Sequence, residues 1–295
     1  MKKKIFLLLC VSIFLFLSIG AQAQELKKLD VPYVPTPYKV IDEMLRLAEV
    51  GKDDLLYDLG CGDGRIVITA AQKYGTRAVG IDIDPERIQE SNENAVQAGV
   101  TGLVKFLEQD LFEADIHQAT VVTLYLLTSV NLKLRPKLLH VLRPGTRIVS
   151  HDFSMEEWQP DKSTTVFNDE DSHKVFYWVV PANVTGTWEW TMAAGAGKKH
   201  YLLKLEQLFQ WVNGTLSSGN SQMPIMEAKL NGDRLQFKTE EEVKGGKVVL
   251  LFDGRVIGNL INGTVEAQNE PKPVKRNWKA NRDPATMKPL DFPKE

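Results

Sequence analysis

The sequence predicts an α/β fold, a doubly wound sheet of parallel strands closed by an antiparallel hairpin, followed by a small antiparallel all-β domain. Three observations predict it. Apolar runs alternate with helix-period segments from residue 55 to residue 152, the pattern of parallel strands joined by crossover helices. A glycine-rich turn, Gly60-Cys61-Gly62-Asp63-Gly64, stands between the first run and the first helical segment. From about residue 184 the helical period is lost, and short alternating runs are separated by Asn-Gly and Asp-Gly pairs, the strongest short hairpin signals.

The chain begins with Lys2, Lys3 and Lys4, an apolar run IFLLLCVSIFLFLSIG and the small-residue pattern Ala21-Gln22-Ala23. These are the charged, apolar and cleavage regions of a secretory signal peptide, residues 1–23, which predicts an exported protein, periplasmic or secreted. Cleavage would remove three lysines and no acid, shifting the formal net charge from −2 to −5. Without a basic excess, a broad nucleic-acid footprint is not expected. Of the two cysteines, Cys10 leaves with the leader and Cys61 stays alone. An intrachain disulfide and a zinc site of several cysteines are thereby excluded, and no metal site is read from the sequence.

The first domain spans residues 24–182. The proline-rich segment PYVPTP precedes a helix starting at Pro37, with Thr36 as its N-cap, Val40, Ile41, Met44, Leu45 and Leu47 on one side, and Gly51 beyond its end. Strand 55–59 leads through the glycine turn into helix 65–74. Strand 78–82 leads into helix 85–98, which Asp84-Pro85 opens and Gly99 closes. Strand 103–107, a short connection 111–117, the fully apolar strand 120–126, helix 129–142 and strand 146–152 follow. Pro136 predicts a kink or a late start in that helix. Two β-type runs within 163–181, turning at Asn168–Asp171, complete a sheet of seven strands.

The chemistry is concentrated around the glycine turn. Gly60, Gly62 and Gly64 tolerate positive φ and carry no Cβ to keep a ligand off the backbone. The helix behind them offers free N–H groups and a positive dipole end. Asp58, Asp82 and Asp110 close the first, second and third strands, on the edge where open α/β sheets bind ligands. Asp82 follows Gly60 by an interval close to the ~20 residues at which an acid reaches a ribose diol. The spacing G-x-G-x-G departs from the G-x-G-x-x-G of dinucleotide enzymes, which counts against a nicotinamide-dependent oxidoreductase.

The stretch DLGCGDGR, with VGIDIDP and QDLF behind it, resembles the motifs of class I S-adenosylmethionine (SAM) methyltransferases, whose fold is Rossmann-like. Adding VPYVPTP, the KLRPKL helix and Trp158-Gln159-Pro160, residues 31–160 are similar to the small lysine methyltransferases of the ATP synthase c-subunit and adenine nucleotide translocase and to their bacterial relatives. The resemblance implies SAM as cofactor, held by Asp58, Gly60, Cys61, Gly62, Gly64, Asp82, Ile83, Asp110 and Leu111. It places Asp82 at the ribose and Asp110 beside the adenine. It also implies that Tyr33 and Thr36 fold over the SAM and that a protein lysine is the acceptor. Cys61 stands where serine is common in eukaryotic members, and its expected role is to be small.

The methyl acceptor, a protein or a small molecule, belongs near the ends of the fourth and fifth strands. Tyr125, Leu126 and Leu127 stand at one, Ser150, His151 and Asp152 at the other. The N-P-P-Y or D-P-P-Y signature of DNA adenine and glutamine methyltransferases is absent, and no second cysteine serves RNA cytosine-C5 chemistry. Tyr125 and His151 are the catalytic candidates. His151 and Asp152 are adjacent, so they face one pocket only if the strand has ended between them. His173 reads as a solvated residue of a charged turn.

Residues 183–268 read as six or seven short strands with turns at Asn213-Gly214, Ser218-Gly219-Asn220, Asn231-Gly232-Asp233, Gly245-Gly246, Asp253-Gly254 and Asn262-Gly263. That pattern predicts a small barrel or sandwich, loosely lipocalin-like. Residues 269–295, rich in Pro, Lys and Asn, read as a tail that is disordered or lies on a domain surface through Trp278. Because SAM is made in the cytosol and is charged, export also admits a non-catalytic scaffold that holds a nucleoside-type ligand while its β-domain binds an envelope component.

Overall fold

A computed structural model describes residues 32–194, 197–243, 246–268 and 274–290. The expected leader, residues 1–23, lies outside them. Among the described residues no helix is long and apolar enough to cross a membrane.

The first sheet has seven strands in the order β3-β2-β1-β4-β5-β7-β6. Five are parallel: β1 (Leu55–Leu59), β2 (Arg77–Asp82), β3 (Val104–Glu108), β4 (Val121–Leu124) and β5 (Arg147–His151). β6 (Lys162–Asn168) and β7 (Asp171–Val179) form the antiparallel hairpin, β7 lying against β5. This is the doubly wound sheet expected from the alternation. Its two faces are covered by α1 (Tyr38–Leu47), α2 (Arg65–Tyr74), α3 (Pro85–Ala98) and α4 (Thr128–Val141). One buried cluster joins Val40, Ile41 and Met44 of α1 to Val67 and Ala70 of α2 and to Leu56, Val121 and Val149 of the sheet. A second joins Leu134 and Leu138 of α4 to Leu59, Val122, Leu124 and Ile148.

Two local expectations change. Thr36 does not cap α1: Pro37 takes the N-cap position without a side-chain bond, and the Thr36 hydroxyl turns inward to His151. Pro136 sits inside α4 without ending it.

The second sheet is antiparallel and has nine strands in the order β11-β10-β9-β8-β16-β15-β14-β13-β12. They are β8 (Gly186–Ala194), β9 (Gly197–Leu208), β10 (Trp211–Ser218), β11 (Ser221–Pro224), β12 (Met226–Asn231), β13 (Arg234–Val243), β14 (Gly246–Ile257), β15 (Leu260–Ala267) and β16 (Val274–Arg282). β16 corrects the expected tail: residues 274–282 are a strand between β8 and β15, and Trp278 is buried. The alternation Trp278 in, Lys279 out, Ala280 in carries that strand within a lysine-rich segment. The remainder of the expected tail, 269–273 and 291–295, lies outside the described residues.

The sheet is strongly curled. Trp278 on β16 and Phe237 on β13 are three strands apart, about 14 Å in a flat sheet, yet their ring centroids are 5.7 Å apart. Trp190, Phe252 and Trp278 meet in the same interior. Among the described residues no ladder joins the edge strands β11 and β12, so in place of the expected barrel or sandwich the domain is one open, curled sheet.

Three glycine pairs read as turns lie inside strands instead. Asn213-Gly214 is in β10, Asp253-Gly254 in β14 and Asn262-Gly263 in β15. Gly254 is glycine because Trp278 needs its place: an added Cβ would stand 2.8 Å from Trp278 Cζ3. The chain turns at Phe209-Gln210, Gly219-Asn220, Gly232-Asp233 and Gly258-Asn259. Phe209, in the first of these turns, stacks on Trp158 of the first domain at 5.7 Å with 2° between the planes. It is buried in that domain's cluster.

Candidate active site

The glycine loop follows β1. Gly60, Gly62 and Gly64 have φ of 82°, 53° and 78°, the left-handed region that glycine adopts without strain. The amides of Gly60 and Cys61 both donate to the Ile81 carbonyl, at 2.8 and 3.0 Å, tying the loop to β2. Gly64 then opens α2 with no side-chain cap of its own; the Arg65 amide is taken by Asp63 Oδ1 at 3.2 Å, and the positive helix end lies at the loop. Cys61 is buried with its thiol pushed up by burial, then by Asp58. It fills space, as expected, and is no thiolate.

Asp82, last residue of β2, points its carboxylate at this loop. Oδ2 accepts from Gly62 N at 2.8 Å and Oδ1 from Asp84 N at 3.0 Å. Each oxygen keeps a lone pair for a further donor. Ile83 follows, half-buried. Asp58 lies one residue before the end of β1 and is buried, with Oδ1 accepting from Thr123 Oγ1 at 2.7 Å. Burial pushes its carboxyl up to about 7, against the Thr123 bond and with help from the charges of Asp82 and Asp63. Asp110 stands two residues past β3 and folds the loop by accepting Phe112 N at 2.8 Å. Leu111 and Phe112 give their carbonyls to Lys137 Nζ at 3.0 and 2.7 Å.

Tyr33 lies on the glycine loop. A Cβ on Gly62 would stand 2.5 Å from its Cε2, and the Arg87 guanidinium is 4.9 Å from its ring centroid. Tyr33 thus lies against Gly62 of the loop. The Thr36 hydroxyl is 3.2 Å from His151 Nδ1, and its carbonyl accepts from Arg65 at 3.1 Å. Asp63 and Arg65 form a two-pronged pair at the start of α2.

Tyr125, just past β4, and His151, the last residue of β5, come together with ring centroids 3.8 Å apart and 30° between planes. His151 is fully buried, and burial lowers its imidazole to about 4, with Asp152 opposing and His173 adding to the fall. It is therefore neutral at physiological pH. The Tyr125 phenol is raised by burial and by Asp152, so it keeps its proton.

Strand β5 does end at His151. Asp152 has φ of 58°, and the turn Phe153 N to His151 O at 2.7 Å brings its carboxylate back beside His151. His173 corrects another expectation: it lies in β7, not in the turn, and its Nδ1 is 3.0 Å from both His151 Nε2 and Asp152 Oδ2. The sequence reading missed Thr123, Arg87 and His173. His173 is two residues from Val175, the partner of His151 across β5 and β7, and so shares a face with it, a register the sequence does not show.

The pattern fits a nucleoside-bearing ligand with a positive charge. It offers a glycine cradle open to backbone approach, an anchored carboxylate with free lone pairs and a buried acid behind the loop. Sequence comparison finds methyltransferases among the similar proteins. A family model described as the ANTKMT methyltransferase domain matches residues 58–162, ending before the second sheet. A protein-lysine N-methyltransferase of Saccharolobus islandicus is 50% identical over 151 residues, 51% of this chain and 94% of that protein. The human lysine N-methyltransferase of the ATP synthase c-subunit is 34% identical over 139 residues, 47% of this chain and 59% of that protein. Among solved structures, an RNA methyltransferase from Salinibacter ruber in complex with S-adenosyl-L-homocysteine is 56% identical. It covers 51% of this chain and 96% of its own, with a TM-score of 0.48.

Proposed function

We propose that this chain, which belongs to the ANTKMT family of methyltransferases, transfers the methyl group of SAM to a lysine side chain of a protein. The observation that carries the reading is the 50% identity to a named protein-lysine methyltransferase across 94% of its length, together with the intact glycine loop and its Asp82 anchor.

In this reading the backbone of Gly60–Gly64 and the start of α2 receive the cofactor, with Asp82 as acceptor for its ribose hydroxyls and Tyr33 as cover. When bound, SAM supplies an electrophilic methyl on a sulfonium. The chain's own task is then alignment and control of a proton, the usual source of rate in an in-line displacement. A lysine must be neutral at Nζ to attack. Desolvation lowers an amine's pKa, so a lysine laid against the Tyr125–His151 wall sheds its proton to solvent more readily. The Tyr125 hydroxyl is the donor and acceptor within reach of that position. With SAM bound there, the amine nitrogen would take the methyl and the bonding pair would stay on the sulfur, releasing S-adenosylhomocysteine.

We further propose that transfer takes place outside the cytosol. Support comes from Lys2–Lys4, the apolar run behind them and Ala21-Gln22-Ala23. The test is incubation of the purified chain with methyl-deuterated SAM and the envelope and secreted fractions of the producing cell, followed by peptide mass spectrometry. Heavy methyl on lysine is the expected result. Label in RNA or small molecules alone overturns the acceptor. SAM bound without transfer to any fraction replaces the enzyme with the scaffold reading.

A further inference from the structure

Beyond the cofactor loop, the described residues hold one cluster in which several metal-ligating side chains converge: His151, Asp152 and His173. We infer that these three residues bind a single divalent transition-metal ion, zinc foremost, through His151 Nε2, His173 Nδ1 and Asp152 Oδ2.

Geometry is the first argument. The three atoms form a near-equilateral triangle, with His151 Nε2 to His173 Nδ1 at 3.0 Å, His173 Nδ1 to Asp152 Oδ2 at 3.0 Å and His151 Nε2 to Asp152 Oδ2 at 3.2 Å. A tetrahedral ion bonded at ~2.0–2.1 Å holds its ligands about 3.3 Å apart. The triangle needs to open by only a few tenths of an ångström to become one face of that tetrahedron.

Protons are the second argument. Three close edges between lone-pair atoms need a proton on each edge if hydrogen bonds alone hold them. The carboxylate brings none. His151 Nδ1 is 3.2 Å from Thr36 Oγ1, and with its proton directed there Nε2 presents a lone pair to the cluster. At most one proton, on His173 Nδ1, then serves three edges. A cation takes all three lone pairs at once.

Positioning is the third. Asp152 is fixed by its neighbour across the strands: its amide donates to Lys174 O at 2.7 Å, and Oδ1 accepts from Lys174 N at 2.6 Å. Oδ2 is left for the cluster. The Thr36 hydroxyl stands behind His151 as the outer partner that fixes a ligating imidazole, which gives the departure of Thr36 from its helix-capping position a reason. Tyr125 holds the same ring by stacking.

The donor set selects the ion. Two imidazoles and one carboxylate suit zinc and its transition-metal neighbours, while calcium and magnesium prefer oxygen shells. His151 is closed off, but the side chains of Asp152 and His173 are 29% and 16% exposed, so the ion would keep a coordination position for water or an incoming donor on that side. The site adjoins the Tyr125 wall and does not depend on lysine being the acceptor.

The experiment uses the full chain without a purification tag, stripped with a chelator. Cobalt(II) is added as a visible-absorbance probe, then displaced by zinc, with zinc affinity read by competition against a chelating dye. One cobalt per chain, the intense visible bands of a four-coordinate ion and their loss on adding zinc are expected. His173→Gln and Asp152→Asn should each weaken zinc by ~100-fold or more, and Thr36→Val, which removes an outer partner, by ~10-fold. X-ray absorption of the zinc-loaded wild-type chain supplies a readout independent of variant folding, with two imidazoles and no sulfur expected in the shell. Failure to take up an ion at millimolar concentration, unchanged affinity in folded His173→Gln and Asp152→Asn, or a shell containing sulfur overturns the site. None of these measurements involves methyl transfer, so they leave the methyltransferase reading where it stands.

Discussion

The two sheets of this chain both bury apolar clusters and differ in where they put polar groups. In the parallel sheet every strand from β1 to β5 runs the same way, so all five carboxyl ends open on one edge. Asp58, Asp82, Asp110, Tyr125 and His151 collect there, from residues far apart in sequence. In the antiparallel sheet alternate strands end on opposite edges, so no edge gathers them. Its interior is instead a block of rings, Trp190, Phe237, Phe252 and Trp278, with Phe237 and Phe252 stacked at 4.6 Å. Strand direction thus decides which half of the chain builds a reaction site. The other half offers shape.

The division can be broken first at Phe209. It belongs to a turn of the second sheet, yet it is fully buried against Trp158, and the Arg135 guanidinium lies 5.4 Å from its ring centroid. If the two sheets were independent units, Phe209→Ala would leave the first one untouched. The shared cluster predicts otherwise: a loss of ~3–5 kcal/mol in unfolding free energy, the cost of emptying a phenylalanine site in a core. The loss should appear in the transition that also abolishes cofactor binding. Denaturant unfolding followed by tryptophan fluorescence and by ligand binding in parallel checks it. A Phe209→Ala chain with unaltered binding-domain stability would make the sheets separable after all.

The same contrast explains what could be read in advance. In the first domain, β1, α2 and α3 were legible to the residue because period, glycine turn and caps all pointed one way there. The acids near the strand ends were legible because parallel topology brings those ends to one edge. Thr36 was misplaced because a threonine before Pro37 fits an N-cap as well as it fits a bond to His151, and local pattern cannot weigh a partner 115 residues away. In the second sheet Asn-Gly and Asp-Gly misled. Gly254 and Gly263 face each other across β14 and β15 and are small so that Trp278 and the neighbouring strand can approach. A turn glycine and a packing glycine look alike in sequence. β16 was hidden for a related reason: its outward face carries Lys275, Asn277, Lys279 and Asn281, while its buried residues are Trp278, Ala280 and Arg282.

A smaller effect sharpens the claim that the polar edge is a cofactor site. Asp82 holds Gly62 N through Oδ2 and, by the proposed role, also the ribose. Asp82→Ala removes both and should weaken SAM by ~1–3 kcal/mol through the lost charge-assisted contact and the loosened loop. Asp82→Asn keeps an acceptor for Gly62 N but loses the charge, so it should fall between the alanine variant and the wild type. Calorimetric titration with SAM and S-adenosylhomocysteine measures both. Equal affinities in all three proteins would detach Asp82 from the ligand and leave it as a loop fastener.

The smallest effect comes from Asp58, and its sign follows from burial. Its carboxyl is pushed up to about 7 in the folded chain, above its value when unfolded. A raised acid stabilises the fold through its protonated form. That contribution is complete below the ordinary carboxylate range and is lost as pH rises through about 7. A ligand with ammonium and sulfonium charges reverses the preference, because positive charge near a carboxyl favours its ionised form. The unliganded chain should therefore lose stability as pH rises from the ordinary carboxylate range to about 7 and change little above it, while SAM binds more tightly as pH passes through about 7, by ~10-fold as the ionised fraction of Asp58 rises. S-adenosylhomocysteine lacks the sulfonium and should show a shallower rise, and Asp58→Asn should flatten both. Thermal unfolding with and without each ligand across that range gives the answer. A SAM profile that stays level in the wild type would mean that Asp58 faces no ligand charge, and the buried acid behind the glycine loop would then belong to the packing of β1 rather than to the site.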